Sequence, residues 1–335
     1  MVYKIVFLDR ETFPKSAIIP RPSVDHHWIE YGLTESNQIL DRIRDADIVL
    51  TNKTAIRADV LQKCENLKLI VLTATGYDHI DLPVAKKKGI VVCNCLHYGT
   101  PSIAEHTLML MMNLSRNAYR YMRSVEKGGW QKTKNFCIFD YPVFELKGKV
   151  LCIFGRGATG CEVARLAKAF GLKVYFADRK QSGKQSGAQS KKQSKKLREG
   201  YIAFDDALKM ADIISLHLPL NEETHFLFSH REFEMMKPSV FLVNVARGQI
   251  VDQEALVVAL KEKKIAGAAL DVIDKEPPTV EIEKHSLLKE IADDRFNLIV
   301  SPHVAWLGSQ SIATLLGQCM ENIEQFHKGT PVRVV

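Results

Sequence analysis

Apolar residues in this chain cluster in short runs separated by polar or helix-patterned stretches. In the first hundred positions the runs fall at 3–8, 47–51, 67–73 and 89–93. They are rich in Val, Ile and Leu without strict alternation, the pattern of parallel strands covered on both faces. Ser102-Ile-Ala-Glu105 has the form of a capping box. It predicts a helix running to about residue 123, with Leu108, Leu110, Met111, Met112 and Leu114 as its packing stripe. Residues 126–149, with Trp130, Phe136, Phe139, Tyr141 and Phe144, show no clean period and predict an arm that packs on another subunit. A second series follows, with strand runs at 149–154, 173–177, 213–217, 240–245, 266–271 and 297–300 and helical segments between them. That rhythm predicts a doubly wound parallel sheet. The last helix, Ser309–His327, is closed by Gly329 and Pro331.

A length of 335 residues suits two domains, and 46% hydrophobic residues allow each its own core. No apolar run is long enough to span a bilayer, and the start reads as a first strand, not a signal peptide. The seven cysteines include no Cys-x-x-Cys pair, and most sit in apolar runs; reduced buried thiols and a cytoplasmic location are expected. The formal charge of +7 is local. Lys180, Lys184, Lys191, Lys192, Lys195, Lys196 and Arg198 supply all of it within a stretch that has no acid. Residues 181–196 are only Gln, Ser, Lys, Gly and one Ala, so a solvated surface loop is predicted. Without an aromatic residue to stack on bases, this segment gives no reason to expect a specific nucleic-acid partner.

Gly155-Arg-Gly-Ala-Thr-Gly160 lies between a strand run and a helix, and Asp178 ends the next strand run. This is the setting in which three glycines bind a dinucleotide. Gly155 permits the tight turn, Gly157 lets backbone approach a diphosphate, and Gly160 allows close packing of helix on sheet. The unpaired N–H groups of Ala158 and Thr159 would face the diphosphate. Asp178 would accept the ribose hydroxyls of NAD and repel the 2′-phosphate of NADP, a preference softened by Arg179 and Lys180.

Three polar residues follow the carboxyl ends of later strand runs: Arg247, Glu276 and His303. In an open parallel sheet that rim is where ligands bind. Reduction of a 2-keto acid needs hydride at the carbonyl carbon, a proton on its oxygen and a fixed carboxylate. His303 suits the proton donor, since imidazole titrates near neutral pH. Glu276 beside it would favour imidazolium and orient the ring, and Arg247 would hold the carboxylate in a fork. Asp271, at its strand end, is placed to meet the nicotinamide amide. No metal is expected.

With these residues in hand, the chain resembles the D-isomer-specific 2-hydroxyacid dehydrogenases over essentially its whole length. The matching stretches are Ala74-Thr-Gly-Tyr-Asp-His-Ile-Asp81, Ser102-Ile-Ala-Glu105, the glycine loop, His217-Leu-Pro-Leu220, Asn244-Val-Ala-Arg-Gly248, Asp271-Val-Ile-Asp-Lys-Glu-Pro277 and Ser301-Pro-His-Val-Ala-Trp306. The resemblance implies Arg247, Glu276 and His303 as the catalytic set. It implies that the Thr75–Gly76 backbone helps hold the substrate carboxylate, and that Thr75, Val245, Ala246, Arg247 and His303 lie beside the cofactor. It also implies two α/β domains. A discontinuous flavodoxin-like substrate domain would take 1–100 and 304–335, a Rossmann NAD-binding domain would take 101–303, and the molecule would be a homodimer.

Thr51-Asn-Lys53, Tyr98-Gly-Thr100, Arg198-Glu-Gly-Tyr201 and His303-Val-Ala-Trp306 look most like glycerate dehydrogenases that act as hydroxypyruvate reductases. Two features depart from the family pattern: the 181–196 segment, and Gly308 where Ser or Thr is usual. The expected activity is therefore NAD(H)-dependent interconversion of a small 2-keto acid, hydroxypyruvate or glyoxylate, with D-glycerate or glycolate. The alternative is a corepressor-like protein that senses NAD on the same fold, since function resides in the site and not in the fold.

Overall fold

The computed structural model describes residues 2–180, 198–293 and 295–335; the 181–196 segment lies outside them. The chain divides into two compact units, Met1–Gly99 with Leu307–Val335, and Thr100–Trp306.

The first unit carries β1 (Tyr3–Phe7), β2 (His26–Glu30), β3 (Ile48–Thr51), β4 (Leu69–Leu72) and β5 (Val91–Cys93), with short helices α1 (Ile39–Ile43), α2 (Ala58–Leu61) and α3 (Leu82–Lys87). The sheet order is β2-β1-β3-β4-β5, parallel throughout. This is the flavodoxin-like order. β3 and β4 are buried along their whole length, which explains their unbroken apolar runs. Val6, Leu8, Val49, Ile70 and Leu72 form one core with Ile39 and Ile43 of α1 and Leu61 of α2. β2 was not expected. It is an edge strand of sequence His-His-Trp-Ile-Glu, none of it fully buried, so no apolar run marks it.

The second unit opens with α4 (Thr100–Arg116), α5 (Ala118–Glu126) and α6 (Gly129–Lys132). Its strands are β6 (Val150–Phe154), β7 (Lys173–Ala177), β8 (Tyr201–Ile202), β9 (Ile213–Leu216), β10 (Phe241–Asn244), β11 (Gly267–Leu270) and β12 (Leu298–Val300). Between them run α7 (Ala158–Ala169), α8 (Phe204–Met210), α9 (His230–Met235) and α10 (Gln253–Lys261). The order β12-β11-β10-β9-β6-β7-β8 reverses direction between β6 and β9. That reversal is the switch point where parallel sheets bind ligands.

Strand side chains alternate between two cores. Leu151 and Ile153 of β6 pack with Leu108 and Met111 of α4 and Val163 and Ala167 of α7. Cys152 and Phe154 pack with Leu208 of α8, Phe233 of α9 and Leu256 of α10. Both faces are thus sealed by helices, which leaves the strand ends as the accessible rim.

Two local expectations are corrected. The helix predicted from Ser102 to about residue 123 begins at Thr100 and breaks at Asn117, whose φ of 49° is left-handed. Asn117 is buried there, and its amide donates to the Pro142 carbonyl (2.6 Å), a partner 25 residues away. Ser102 is no cap: it lies inside α4 and its hydroxyl donates to the Ala305 carbonyl (2.7 Å). Returning to the first unit, α11 (Ser309–His327) packs on β4. No helix among the described residues is long and apolar enough to cross a membrane.

Candidate active site

The glycine loop follows β6 at the switch point. Gly155 has φ 112°, and a Cβ there would stand 2.2 Å from the His217 carbonyl oxygen beyond β9. A Cβ on Gly160 would stand 2.0 Å from the Gly155 carbonyl oxygen. Neither position can carry a side chain while strand, loop and helix stay this close. Gly157 is different: a Cβ there would meet nothing within 4 Å, and Gly157 and Ala158 are exposed. No side chain caps the first turn of α7. Open space over exposed, uncapped N–H groups at a helix N-terminus fits a diphosphate. The nucleotide portion of NAD would be held by Gly155, Gly157, Ala158, Thr159 and Gly160.

Asp178 follows β7 on the adjacent strand, but it is not a lone acceptor. Its Oδ1 takes the Arg179 N–H (2.8 Å) and Nε of Arg198 (2.6 Å). Burial works against this carboxylate, yet the hydrogen bonds from Arg179 and Arg198 hold it below the ordinary range. The pairing of Arg198 with Asp178 was not legible in the sequence because the two lie twenty residues apart, across the Lys-rich segment.

Arg247, Glu276 and His303 occupy the loops after β10, β11 and β12, three neighbours in the sheet. Asn244, buried at the end of β10, clamps the first loop: its Oδ1 accepts the Ala246 N–H (3.0 Å) and its amide donates to the Arg247 carbonyl (2.9 Å). Val245 is buried and Ala246 half-buried. Nη1 of Arg247 donates to the Ala246 carbonyl (2.8 Å). Gly248 brings this loop against the next, since a Cβ there would lie 1.8 Å from the Ile273 carbonyl oxygen.

Glu276 uses its two oxygens separately. Oε1 accepts the Ile273 N–H (2.8 Å), which anchors the carboxylate to its own loop. Oε2 meets Nδ1 of His303 at 2.5 Å, with both side chains nearly three-tenths exposed. A charge-assisted bond of that length fixes the ring and leaves Nε2 for a substrate oxygen.

The backbone of His303 is left-handed, φ 55°, an uncommon state for a residue with a Cβ. Asp271 secures it. The His303 N–H donates to the Asp271 carbonyl (2.8 Å), and the Asp271 carboxylate accepts the N–H groups of Val304 (3.0 Å) and Ala305 (2.9 Å). The Ser301 hydroxyl donates to the same carboxylate (2.6 Å), and Nε2 of His106 on α4 lies 3.4 Å from it. Burial raises this carboxyl, but the bonds from His106, Ser301, Ala305 and Val304 outweigh it and keep Asp271 ionised below the usual range. These partners of Asp271 are supplied by the chain itself.

Thr75 and Gly76 lie in the first unit, after β4. The Thr75 hydroxyl donates to the Cys95 carbonyl (2.8 Å), and the Asn94 amide donates to the Thr75 carbonyl (2.8 Å). Two side-chain bonds therefore hold this exposed loop to the end of β5.

Residues 108–305 match the family described as D-isomer specific 2-hydroxyacid dehydrogenase, NAD binding domain. The chain is 37% identical over 336 residues to a glycerate dehydrogenase of Methylorubrum extorquens, covering all of this chain and 99% of that protein. It is 34% identical over 304 residues to a hydroxypyruvate reductase of Blautia hydrogenotrophica, covering 91% and 89% of the two. Among solved structures, D-lactate dehydrogenase from Aquifex aeolicus, complexed with NAD and lactic acid, superposes with a TM-score of 0.77. It is 26% identical, with 98% of this chain and 96% of that one covered. A dinucleotide cradle at the switch point and a carboxylate–imidazole pair on the same rim are what such an enzyme requires, and the chain belongs to the D-isomer-specific 2-hydroxyacid dehydrogenase family, NAD-dependent oxidoreductases that interconvert 2-keto and 2-hydroxy acids.

Proposed function

We propose that the physiological reaction is reduction of hydroxypyruvate or glyoxylate to D-glycerate or glycolate. The observation that carries the chemistry is the 2.5 Å contact between Nδ1 of His303 and Oε2 of Glu276. NADH supplies the hydride when bound. His303 gives its Nε2 proton to the carbonyl oxygen as the alkoxide develops, while Glu276 stabilises the imidazolium and keeps Nδ1 out of the reaction. In the oxidative direction the same nitrogen takes the proton back. Arg247, clamped by Asn244, holds the substrate carboxylate in a fork. Parts for Thr75 and Gly76 in carboxylate binding, and for Thr75, Val245 and Ala246 beside the cofactor, rest on the family pattern.

On this reading the second unit is the NAD-binding domain and the first the substrate domain. A panel of glyoxylate, hydroxypyruvate, pyruvate and a branched keto acid, assayed with NADH, tests the substrate assignment. Hydroxypyruvate and glyoxylate should give the highest kcat/KM; preference for the branched acid would overturn it.

The arm after α4 supports a homodimer. Phe136 and Phe139 are 89% and 78% exposed, and Trp130 is half exposed. An apolar cluster of this kind is the signature of a protein interface. Sedimentation of the parent and of a Phe136→Ser, Phe139→Ser double variant tests it; a parent monomer would refute the assignment. The buried cysteines support a cytoplasmic location. Burial pushes the Cys93 thiol up to about 11 and Cys152 to about 12, so both persist as protonated thiols.

A further inference from the structure

Three parts of the first unit meet at a short stretch, Asn94-Cys-Leu96, that follows β5. On one side this stretch holds the loop after β4. The Asn94 amide donates to the Thr75 carbonyl (2.8 Å), the Cys95 carbonyl accepts the Thr75 hydroxyl (2.8 Å), and the Cys95 N–H donates to the Ala74 carbonyl (3.0 Å). On the other side it is held by α11, where Gln318 and Asn322 stand one turn apart on the same face. The Gln318 side chain accepts the Leu96 N–H and donates to the Leu96 carbonyl (2.9 Å each), and the Asn322 amide donates to the Asn94 carbonyl (3.0 Å). The chain beyond α11 closes the frame: the Asn94 N–H donates to the Arg333 carbonyl (3.0 Å), and Val334 bridges to Cys93 of β5.

Asn322 is an expensive residue for its place. Leu315, Leu316, Cys319 and Ile323 make the buried face of α11 apolar, and Asn322 interrupts it at 0% exposure. Packing alone would favour an apolar side chain, because a buried amide is destabilising unless both its ends are bonded. Here both are: Oδ1 accepts Nε of Arg333 (2.9 Å) while the amide nitrogen serves Asn94. Arg333 is constrained in turn. Its backbone is left-handed, φ 52°, and its guanidinium also reaches the Gln318 carbonyl (3.3 Å) and Oε2 of Glu321 (2.5 Å). Such a backbone state persists only where bonds of this kind over-determine it.

The Thr75–Gly76 peptide is trans, so its carbonyl and its N–H point in opposite directions. The bond from Asn94 to the Thr75 carbonyl therefore sets where the Gly76 N–H points. We propose that Asn322 and Arg333 are positioning residues for the reaction: by fixing Asn94 they set the direction of the Thr75–Gly76 peptide, and with it the hold on the substrate carboxylate. The proposal rests on the assignment of that loop to carboxylate binding.

Asn322→Asp keeps an oxygen for Arg333 but sets an acceptor, in place of a donor, against the Asn94 carbonyl. Two readouts on the full chain follow its effect: hydrogen exchange of backbone 74–77, and kinetics of hydroxypyruvate reduction beside NADH binding by fluorescence. Exchange at 74–77 should quicken by about tenfold and KM for hydroxypyruvate should rise by about tenfold, with kcat and the NADH Kd within a few-fold of the parent. Arg333→Ala removes a side chain that is 19% exposed and should show the same pattern at about threefold, with Arg333→Lys between it and the parent. That series decides the matter if Asn322→Asp does not fold. Unchanged exchange at 74–77 in a folded variant, or an NADH Kd weakened as much as KM, would overturn the proposal. Faster exchange with an unchanged KM would show instead that the Thr75–Gly76 loop does not bind the carboxylate, and the proposal would fall with that reading.

Discussion

Asp271 holds His303 from both sides of the peptide that follows it: its carbonyl takes the His303 N–H, and its carboxylate takes the N–H groups of Val304 and Ala305. A left-handed backbone at a β-carbon-bearing residue costs roughly 1 kcal/mol or more and persists only where its surroundings over-determine it. Asp271 is 1% exposed, and its bonds are that constraint. In the proposed mechanism it is a positioning residue for His303.

Asp271→Asn would set an amide donor against N–H donors. Stability should fall by about 2–4 kcal/mol at pH 7, the scale of one or two unsatisfied buried groups, and kcat should fall with it. The pH dependence has a definite sign. Because the carboxyl is depressed in the folded state, its contribution is complete above the unfolded value of about 3.9 and is lost as pH falls through the lower folded value. Urea midpoints for parent and variant should therefore converge below about pH 4. A constant gap down to pH 3 would show that the carboxylate charge is not what matters.

Gly160 and Gly248 should fail differently. Gly160→Ala drives a methyl into the Gly155 carbonyl and should weaken NADH binding by about tenfold or more, read by fluorescence titration. Gly248→Ala drives one into the Ile273 carbonyl and separates the Arg247 and Glu276 loops. NADH affinity should change little, while kcat/KM for the keto acid should drop by about 10². Equal effects of the two on NADH binding would contradict the separation of roles.

Arg247→Lys keeps the charge and loses the fork. The expected result is a higher KM for the keto acid and a lower kcat, with NADH binding within a few-fold of the parent. An unchanged KM would remove Arg247 from the carboxylate site.

Much of this was legible in the sequence because parallel strands declare themselves as apolar runs, and Arg247, Glu276 and His303 each stand just past such a run. The glycine spacing predicted the tight turn between β6 and α7, where Gly155 and Gly160 leave no room for a side chain. What escaped depends on partners distant in the chain. Arg198 reaches Asp178 across twenty residues, and Ser102 reaches the Ala305 carbonyl across 203. Asn117 ends a helix that its apolar stripe would continue, because its buried side-chain amide finds the Pro142 carbonyl in the left-handed turn. β2 has no apolar run, being a half-exposed edge. Asn244 was visible within a matching stretch, but its clamp on Arg247 is a fact of geometry alone.

Glu276→Gln retains a hydrogen-bonding group beside Nδ1 and removes the negative charge. Imidazolium is the form that donates a proton, so the variant should lose reductive activity at a lower pH than the parent does. The kcat/KM profile for hydroxypyruvate reduction measures it. A profile that stays in place would mean that Glu276 orients the ring without stabilising its charge.

The most direct measurement is turnover by His303→Ala in protein whose NADH binding has been verified by fluorescence. If Nε2 of His303 delivers the proton, kcat for hydroxypyruvate reduction falls by about 10²–10⁴ while the NADH Kd stays within a few-fold of the parent. Turnover near the parent level, with NADH bound, would contradict the assignment of His303 as the acid and with it the account of this site.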